Sequence, residues 1–180
     1  MSAHRAASWK SAQVRAIVLV AAFAAQAPFA SSAHAEVDIK FPSGAPAAML
    51  HFPDGWTVAA KLDGVDATIG EGALHLAIRY VVGVDRESAI RGANQAPSRA
   101  GLAINGSSRR SSSLWFERRD AIRVAEDALS AKGAQEILIV IVPMAGRGRF
   151  VTFALWGAGD ALETVGNDMQ MIAQSLRAVP

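Results

Sequence analysis

The sequence offers few residues whose types and spacing suit catalysis or metal binding. It has no cysteine and four histidines, of which only His51 and His75 follow the first 35 residues. A zinc site needs three or four grouped His, Cys or carboxylate ligands, and these two histidines lack that spacing. We interpret them as structural side chains on strands, so we predict no metal site and no cofactor.

The other motifs that could carry chemistry also favour structural roles. No serine lies in a Gly-x-Ser-x-Gly elbow, the turn that exposes a hydrolase nucleophile. The stretch "GRGR" at 146–149 lacks the spacing of a phosphate-binding loop and separates two apolar segments, which indicates a hairpin turn. The adjacent acids Glu126 and Asp127 are interpreted as a solvated surface. We therefore predict no catalytic residues and a protein that is not an enzyme.

Arginine is the charged residue type with the most uneven distribution. Between Arg79 and Arg123 there are nine Arg against four Asp or Glu, a local charge of +5. Guanidinium groups pair well with carboxylates and phosphates, so this segment is a candidate binder of an anionic lipid or polysaccharide. The candidate ligand-binding residues are Arg109, Arg110, Trp115, Arg118 and Arg119. We expect these arginines to be exposed and dispensable for stability. The alternative is a solvated loop with scattered charges.

The first 35 residues have the three parts of an export signal. Arg5, Lys10 and Arg15 precede the apolar run at 16–25, and a polar stretch ends in the small-residue motif at 33–35. The run is shorter than the roughly 20 residues that span a membrane. We predict a signal peptide over residues 1–35, cleavage between Ala35 and Glu36, and a periplasmic or secreted location. An uncleaved membrane anchor is the alternative.

Removal of the signal changes the charge of the chain. Residues 1–35 carry three of the 18 Lys and Arg and none of the 16 Asp and Glu, so residues 36–180 have a net charge of 15 − 16 = −1. The basic character of the whole sequence is therefore no evidence for nucleic-acid binding. We predict that residues 36–180 form a single domain. A chain of this size buries roughly two-thirds of its unfolded surface and folds without disulfides.

Hydrophobic periodicity predicts the elements of the first two-thirds of this domain. Strands are predicted on both sides of the turn in "HFPDGWTV", with Trp56 buried, and a long strand over 73–82. Asp85 is predicted to cap a short helix. The Arg-, Ser- and Gly-rich segment of about 91–114 is predicted to be irregular, with a short strand near 102–105. A strand is favoured at the start of 114–129, and residues 122–129 fit either a strand or a helix.

The end of the chain has the clearest pattern. The segments "EILIVIVP" (136–143) and "FVTFALWG" (150–157) are apolar on both faces, which predicts a central hairpin covered on both sides. An amphipathic helix is predicted from a capping box at Asp160 to about Arg177, with its apolar face toward the sheet: Leu162, Val165, Met169, Ile172 and Leu176. The predicted fold class is α+β, a predominantly antiparallel sheet covered by helices, forming an α/β/α sandwich with the C-terminal helix packed on the sheet.

This order of parts resembles the PsbP and DcrB-like families of exported proteins, whose fold is the Mog–PsbP type of α/β/α sandwich. The resemblance covers about 49–179 and depends most on "FPDGW" and on Ser175-Leu176 within "MIAQSLRAV". It implies a non-enzymatic envelope or lumenal protein that associates with other proteins, and it supports the fold more than any function.

Three hypotheses for the function follow. The leading one is an exported accessory or binding module that acts through association with a protein of the cell envelope. The first alternative is a carrier of a small apolar or lipid ligand, which would lie in a cleft between sheet and helix. The second is a binder of anionic envelope components through the Arg-rich segment. A cleft and a packed core have the same sequence pattern, so the sequence leaves the choice open.

Overall fold

Antiparallel β-structure makes up most of the protein. The computed structural model describes residues 37–116, 119–157, 162 and 165–179, which belong to one compact unit. Neighbouring strands in this part of the chain all pair antiparallel. This confirms the coarse prediction of a predominantly antiparallel sheet accompanied by helices.

The described strands form a large sheet and a small sheet. The large sheet has seven strands in the order β3-β4-β5-β9-β8-β7-β6. These are β3 (Thr57–Lys61), β4 (Gly64–Ile69), β5 (Leu74–Val82), β6 (Ala103–Phe116), β7 (Arg119–Ser130), β8 (Gly133–Pro143) and β9 (Arg149–Gly157). The small sheet has the order β1-β2-β10, with β1 (Val37–Phe41), β2 (Ala48–Phe52) and β10 (Arg177–Ala178). The predicted apolar hairpin is β8 and β9, and both strands lie inside the large sheet.

The described helices are short. They are α1 (Arg86–Ala93), α2 (Gln95–Arg99) and α3 (Gly166–Gln174). Asp85 caps α1 as predicted, because its carboxylate accepts a hydrogen bond from the Ser88 backbone N–H at 2.7 Å. That hydrogen bond lowers the pKa of Asp85. Within the described residues, no helix is long and apolar enough to cross a membrane.

The large sheet buries apolar side chains on both faces, because successive residues of a strand point to opposite sides. One face contributes to a core shared with the small sheet and α3, the small-sheet cluster, which includes Leu50, Leu76, Val151, Phe153 and Ile172. The opposite face contributes to a second core with α1, the α1 cluster, which includes Ile90, Val124, Ile137, Ile139 and Trp156. Apolar residues on both faces of β8 and β9 reflect these two cores.

Helix α3 differs in part from the predicted C-terminal helix. Three of the predicted core positions, Val165, Ile172 and Leu176, are buried in the small-sheet cluster, and Leu162 and Met169 pack against it. The helix contacts β2 of the small sheet. It ends at Gln174, before Arg177, because residues 177–178 pair with β2 as β10. The predicted capping box at Asp160 lies outside the described residues.

The prediction of an irregular Arg-rich segment is wrong. Instead of an irregular stretch over about 91–114, the chain forms the end of α1, then α2, and then the 14-residue edge strand β6. The apolar alternation is weak in β6 because the strand has one neighbour and most of its side chains are exposed. A register shift between Asn105 and Arg110 interrupts it further. The alternatives left open for residues 122–129 are settled in favour of a strand, β7.

Candidate binding groove

An apolar groove of about 400 Å³ lies between the large sheet and α3. The sheet side of the groove is formed by β6, β8 and β9, and the other side by one face of α3. Its lining residues are Leu114, Trp115, Phe116, Leu138, Val140, Phe153, Met169, Gln170, Ala173 and Gln174. None of these side chains ionises, so the groove offers apolar surface and two amide groups.

The alternation of the strands explains why the groove forms here. Leu138 and Val140 of β8 share the face of the small-sheet cluster with Leu114 and Phe116 of β6. The rings of Phe116 and Phe153 lie 6.1 Å apart at 45°, so an aromatic contact spans the sheet side of the groove. The small sheet and α3 cover these residues only in part, so their side chains are left to line the groove.

The helix presents two different surfaces. Ile172 of α3 and Leu176, which follows the helix, are buried and hold α3 in the core. Met169 and Ala173 are four residues apart and therefore lie on one side of the helix, where both line the groove. Gln170 and Gln174 repeat this spacing and place two amides beside the apolar wall. The cleft between sheet and helix that the carrier hypothesis requires is thus present in the structure.

Arg109, the first of the predicted ligand-binding residues, is part of a buried ion pair. Its Nε donates to the Glu126 carboxylate at 2.6 Å, and its Nη1 donates to Glu87 at 2.9 Å. The hydrogen bond to Glu126 raises the pKa of Arg109, so the guanidinium stays charged. Asn94 donates to the second oxygen of Glu126 at 2.5 Å. The interpretation of Glu126 as a solvated surface acid is wrong, because its side chain is fully buried.

Arg110 is also paired with carboxylates, but at the surface. Its Nη2 donates to Asp127 at 3.0 Å and to Glu136 at 2.8 Å, and its side chain is 56% exposed. Arg109 and Arg110 are consecutive residues of β6, and their partners Glu126 and Asp127 are consecutive residues of β7. The two arginines therefore lie on opposite faces of the sheet and form no common surface.

The remaining predicted residues have three different positions. Trp115 lines the groove and is 68% exposed. Arg119 pairs in register with Phe116 and donates to the sulfur of Met144 at 3.2 Å. Arg118 lies outside the described residues. Of the predicted set, the structure brings Trp115 and Arg119 to the neighbourhood of the groove.

The sequence predictions placed neither Arg123 nor the α3 residues Gln170, Ala173 and Gln174 at a binding site. Arg123 is the register partner of Val140, a lining residue, so it stands on the groove face of β7. Sequence spacing placed Arg123 within the Arg-rich segment, but the pairing of β7 with β8 was needed to locate it. The helical periodicity around Met169 and Ala173 was the signal that pointed to α3.

The two histidines have structural neighbours. His51 Nδ1 lies 2.9 Å from the Asp38 carboxylate, and the His75 ring stacks on Trp156 with 5.3 Å between ring centres. In the part of the chain that the structure describes, no three His, Cys, Asp or Glu residues are grouped as metal ligands.

Comparison with solved structures identifies the type of fold. The chain is similar to cyanobacterial PsbP (CyanoP) from Synechocystis sp. PCC 6803, with a TM-score of 0.53, 13% identity, and coverage of 83% of this chain and 96% of that chain. The resemblance to PsbP predicted from the sequence is thereby confirmed at the level of the fold. Function does not follow from a similarity at this identity.

Two weaker similarities have TM-scores below 0.5. LpqN of Mycobacterium tuberculosis, described as involved in cell envelope biogenesis, has a TM-score of 0.46 and 13% identity, with 81% of this chain and 92% of that chain covered. The Ran-binding protein Mog1p of Saccharomyces cerevisiae has a TM-score of 0.49 and 7% identity, with 81% and 96% covered. No family model matches the sequence, and no curated protein matches it.

Proposed function

We propose that the protein is a non-enzymatic binding module whose binding site is the apolar groove between the large sheet and α3. The observation that carries this proposal is the groove itself, with opposed apolar walls on the large sheet and on α3. Its volume of about 400 Å³ lies within the range of roughly 300–1,000 Å³ that small-molecule sites occupy.

The chemistry of the lining supports binding over catalysis. General acid or base catalysis requires a titratable group close to the reacting atoms. The groove is lined by aliphatic, aromatic, thioether and amide side chains. Such a surface gains free energy by removing apolar ligand surface from water, about 25 cal/mol for each Å² buried. We therefore assign the groove to a small apolar or amphiphilic molecule, the carrier hypothesis of the sequence analysis.

Filling the groove should remove binding. Ala173→Trp places an indole on the groove side of α3. We expect this variant to bind the neutral probe N-phenyl-1-naphthylamine at least about tenfold more weakly than the wild type, since the side chain occupies the space of the ligand. The measurement is a titration of probe fluorescence.

The matched control is Met171→Trp. Met171 lies on the same helix, is 47% exposed and does not line the groove. We expect it to bind the probe as the wild type does, with circular dichroism showing that both variants are folded. Wild-type affinity in Ala173→Trp would contradict the proposal.

A second candidate function, association with an envelope protein, is supported by the exposed edge of the large sheet. β6 is a long edge strand, and an unpaired strand edge is a template for another chain. The exposed Trp115 at one end of β6 supplies the type of residue that is enriched at protein interfaces. We propose this edge as the surface for the envelope partner predicted from the sequence.

Photo-crosslinking in cells tests the second candidate. A photoreactive residue at Ser112, exposed on β6, should give a crosslinked product of higher mass in the periplasmic fraction. The control position is Ala59, which is exposed on β3, the opposite edge of the same sheet. Recovery of uncrosslinked protein from both positions, or equal products from both, would contradict association through β6.

Three finer sequence predictions are kept as proposals. Export, with cleavage between Ala35 and Glu36, is supported by the charge and hydropathy pattern of the first 35 residues. The α/β/α layering is supported by the placement of α1 and α3 in different core clusters. Binding of an anionic lipid or polysaccharide by Arg109, Arg110, Trp115, Arg118 and Arg119 stays a prediction, and the carboxylate partners of Arg109 and Arg110 weigh against those two as its binding groups.

A further inference from the structure

A cation, Arg123, stands beside the apolar groove. In the sheet register Arg123 lies between Val140 of β8 and Ser112 of β6. Directly opposed residues of antiparallel strands share a face, and Val140 lines the groove. Arg123 is exposed. Its guanidinium is therefore on the groove face of the sheet and accessible from solvent.

The described carboxylates on the groove face of β7 and β8 are already paired. Asp127 and Glu136 both accept hydrogen bonds from Arg110. Arg119, the other arginine on this face of β7, donates to the Met144 sulfur. Across the described ranges, no carboxylate forms an ion pair with Arg123. Among the described residues, the positive charge of Arg123 therefore has no carboxylate partner.

We infer that the groove binds an amphiphile with an apolar chain and a carboxylate headgroup, with the chain along the groove and the carboxylate on Arg123. This inference rests on the proposed function and adds the ligand class to it. Apolar walls match the chain, and a guanidinium presents parallel N–H donors to a carboxylate in bidentate geometry. A neutral chain would occupy the groove and leave Arg123 unpaired.

The test compares two ligands that differ in the headgroup. Oleate and oleyl alcohol, which have the same chain, are titrated as competitors of N-phenyl-1-naphthylamine, each below its aggregation concentration. We expect the wild type to bind oleate about tenfold more tightly than oleyl alcohol, as one charge-assisted contact would give. Arg123→Gln should reduce the affinity for oleate to that for oleyl alcohol, and it should leave the probe and the alcohol unchanged.

The control is Arg147→Gln, which removes the same charge from an exposed position in the turn between β8 and β9. It should bind oleate as the wild type does. Equal loss of oleate binding in both variants would show that only the net charge of the protein matters, and it would overturn the inference. Oleate affinity equal to the wild type in Arg123→Gln would also overturn it. If the wild type fails to bind the neutral probe, the proposed function fails and this inference with it. If the probe binds but oleate and oleyl alcohol compete equally, only the headgroup assignment fails.

Discussion

Arg109→Ala should lower the free energy of unfolding by about 3–5 kcal/mol, because the substitution leaves the Glu126 carboxylate buried without its cation. Glu126 is fully buried, and Arg109 donates to it at 2.6 Å. Asn94 would remain as a partner of Glu126 but carries no charge. Urea denaturation followed by circular dichroism measures the change.

Two further variants separate a lost buried ion pair from a general effect of charge. Arg110→Ala removes the neighbouring arginine, whose carboxylate partners are at the surface, and should leave the free energy of unfolding nearly unchanged. The double variant with Arg109→Ala and Glu126→Gln should regain much of the stability, since glutamine keeps an acceptor for Asn94 and removes the buried charge. Equal stability of Arg109→Ala and Arg110→Ala would contradict this account of the ion pair.

Trp56→Ala should also cost about 3–5 kcal/mol, the usual effect of removing a buried Trp. The Trp56 side chain is 5% exposed, as the sequence predicted, and its ring centre lies 6.2 Å from that of Phe52. Its Nε1 donates to Asp168 of α3 at 3.1 Å, so the turn before β3 is tied to the helix that forms one side of the groove. Chemical denaturation again measures the loss.

Trp56→Phe divides this loss into packing and hydrogen bonding. Phenylalanine keeps an aromatic ring in the core and removes the donor to Asp168, so we expect a cost of about 1 kcal/mol. A cost of the same size for Trp56→Ala and Trp56→Phe would show that the hydrogen bond, and not the packing of the ring, carries the stabilisation. Because Asp168 belongs to α3, both variants should also weaken probe binding in the groove.

The fold could be predicted from the sequence where one physical signal dominated. Alternation of apolar and polar residues identified β5, and apolar residues on both faces identified β8 and β9, since strands inside a sheet with two cores are buried on both sides. The Pro-Asp-Gly turn was identified from residue types with defined backbone preferences, and Gly55 has the positive φ of 93° that such a turn uses. These elements could be predicted because their strand periodicity and turn residues are set by neighbouring positions in the sequence.

The Arg-rich segment was misjudged because its structure depends on pairing that no local pattern encodes. β6 has exposed serines and arginines in place of apolar alternation, and it is held by its register with β7. Glu126 follows Val124 and Ala125 in β7. Its carboxylate can be buried because Arg109, 17 residues earlier in the chain, supplies a paired positive charge. Adjacent acids in sequence gave no indication that one is buried and the other exposed.

From the sequence, the apolar surface between the sheet and the C-terminal helix could form either a packed core or an open groove. Its sheet side consists of residues that also read as core, such as Leu138 and Val140, and its helix side depends on how far α3 covers them. That coverage is set by the anchoring of Ile172 and Leu176 and by the pairing of β10 with β2. These are long-range contacts, so periodicity predicted the apolar surface but not the space above it.

The central claim, that the groove is a ligand-binding site, is tested most directly by methyl NMR during titration with N-phenyl-1-naphthylamine. Methyl groups of Leu114, Leu138, Val140, Met169 and Ala173 should shift saturably, because the aromatic probe lies against them. Methyl groups of Ile137, Ile139 and Ile141, which alternate with the groove residues of β8 but belong to the α1 cluster, should stay unchanged. Absence of saturable shifts at the groove residues, or equal shifts on both faces of β8, would contradict the account.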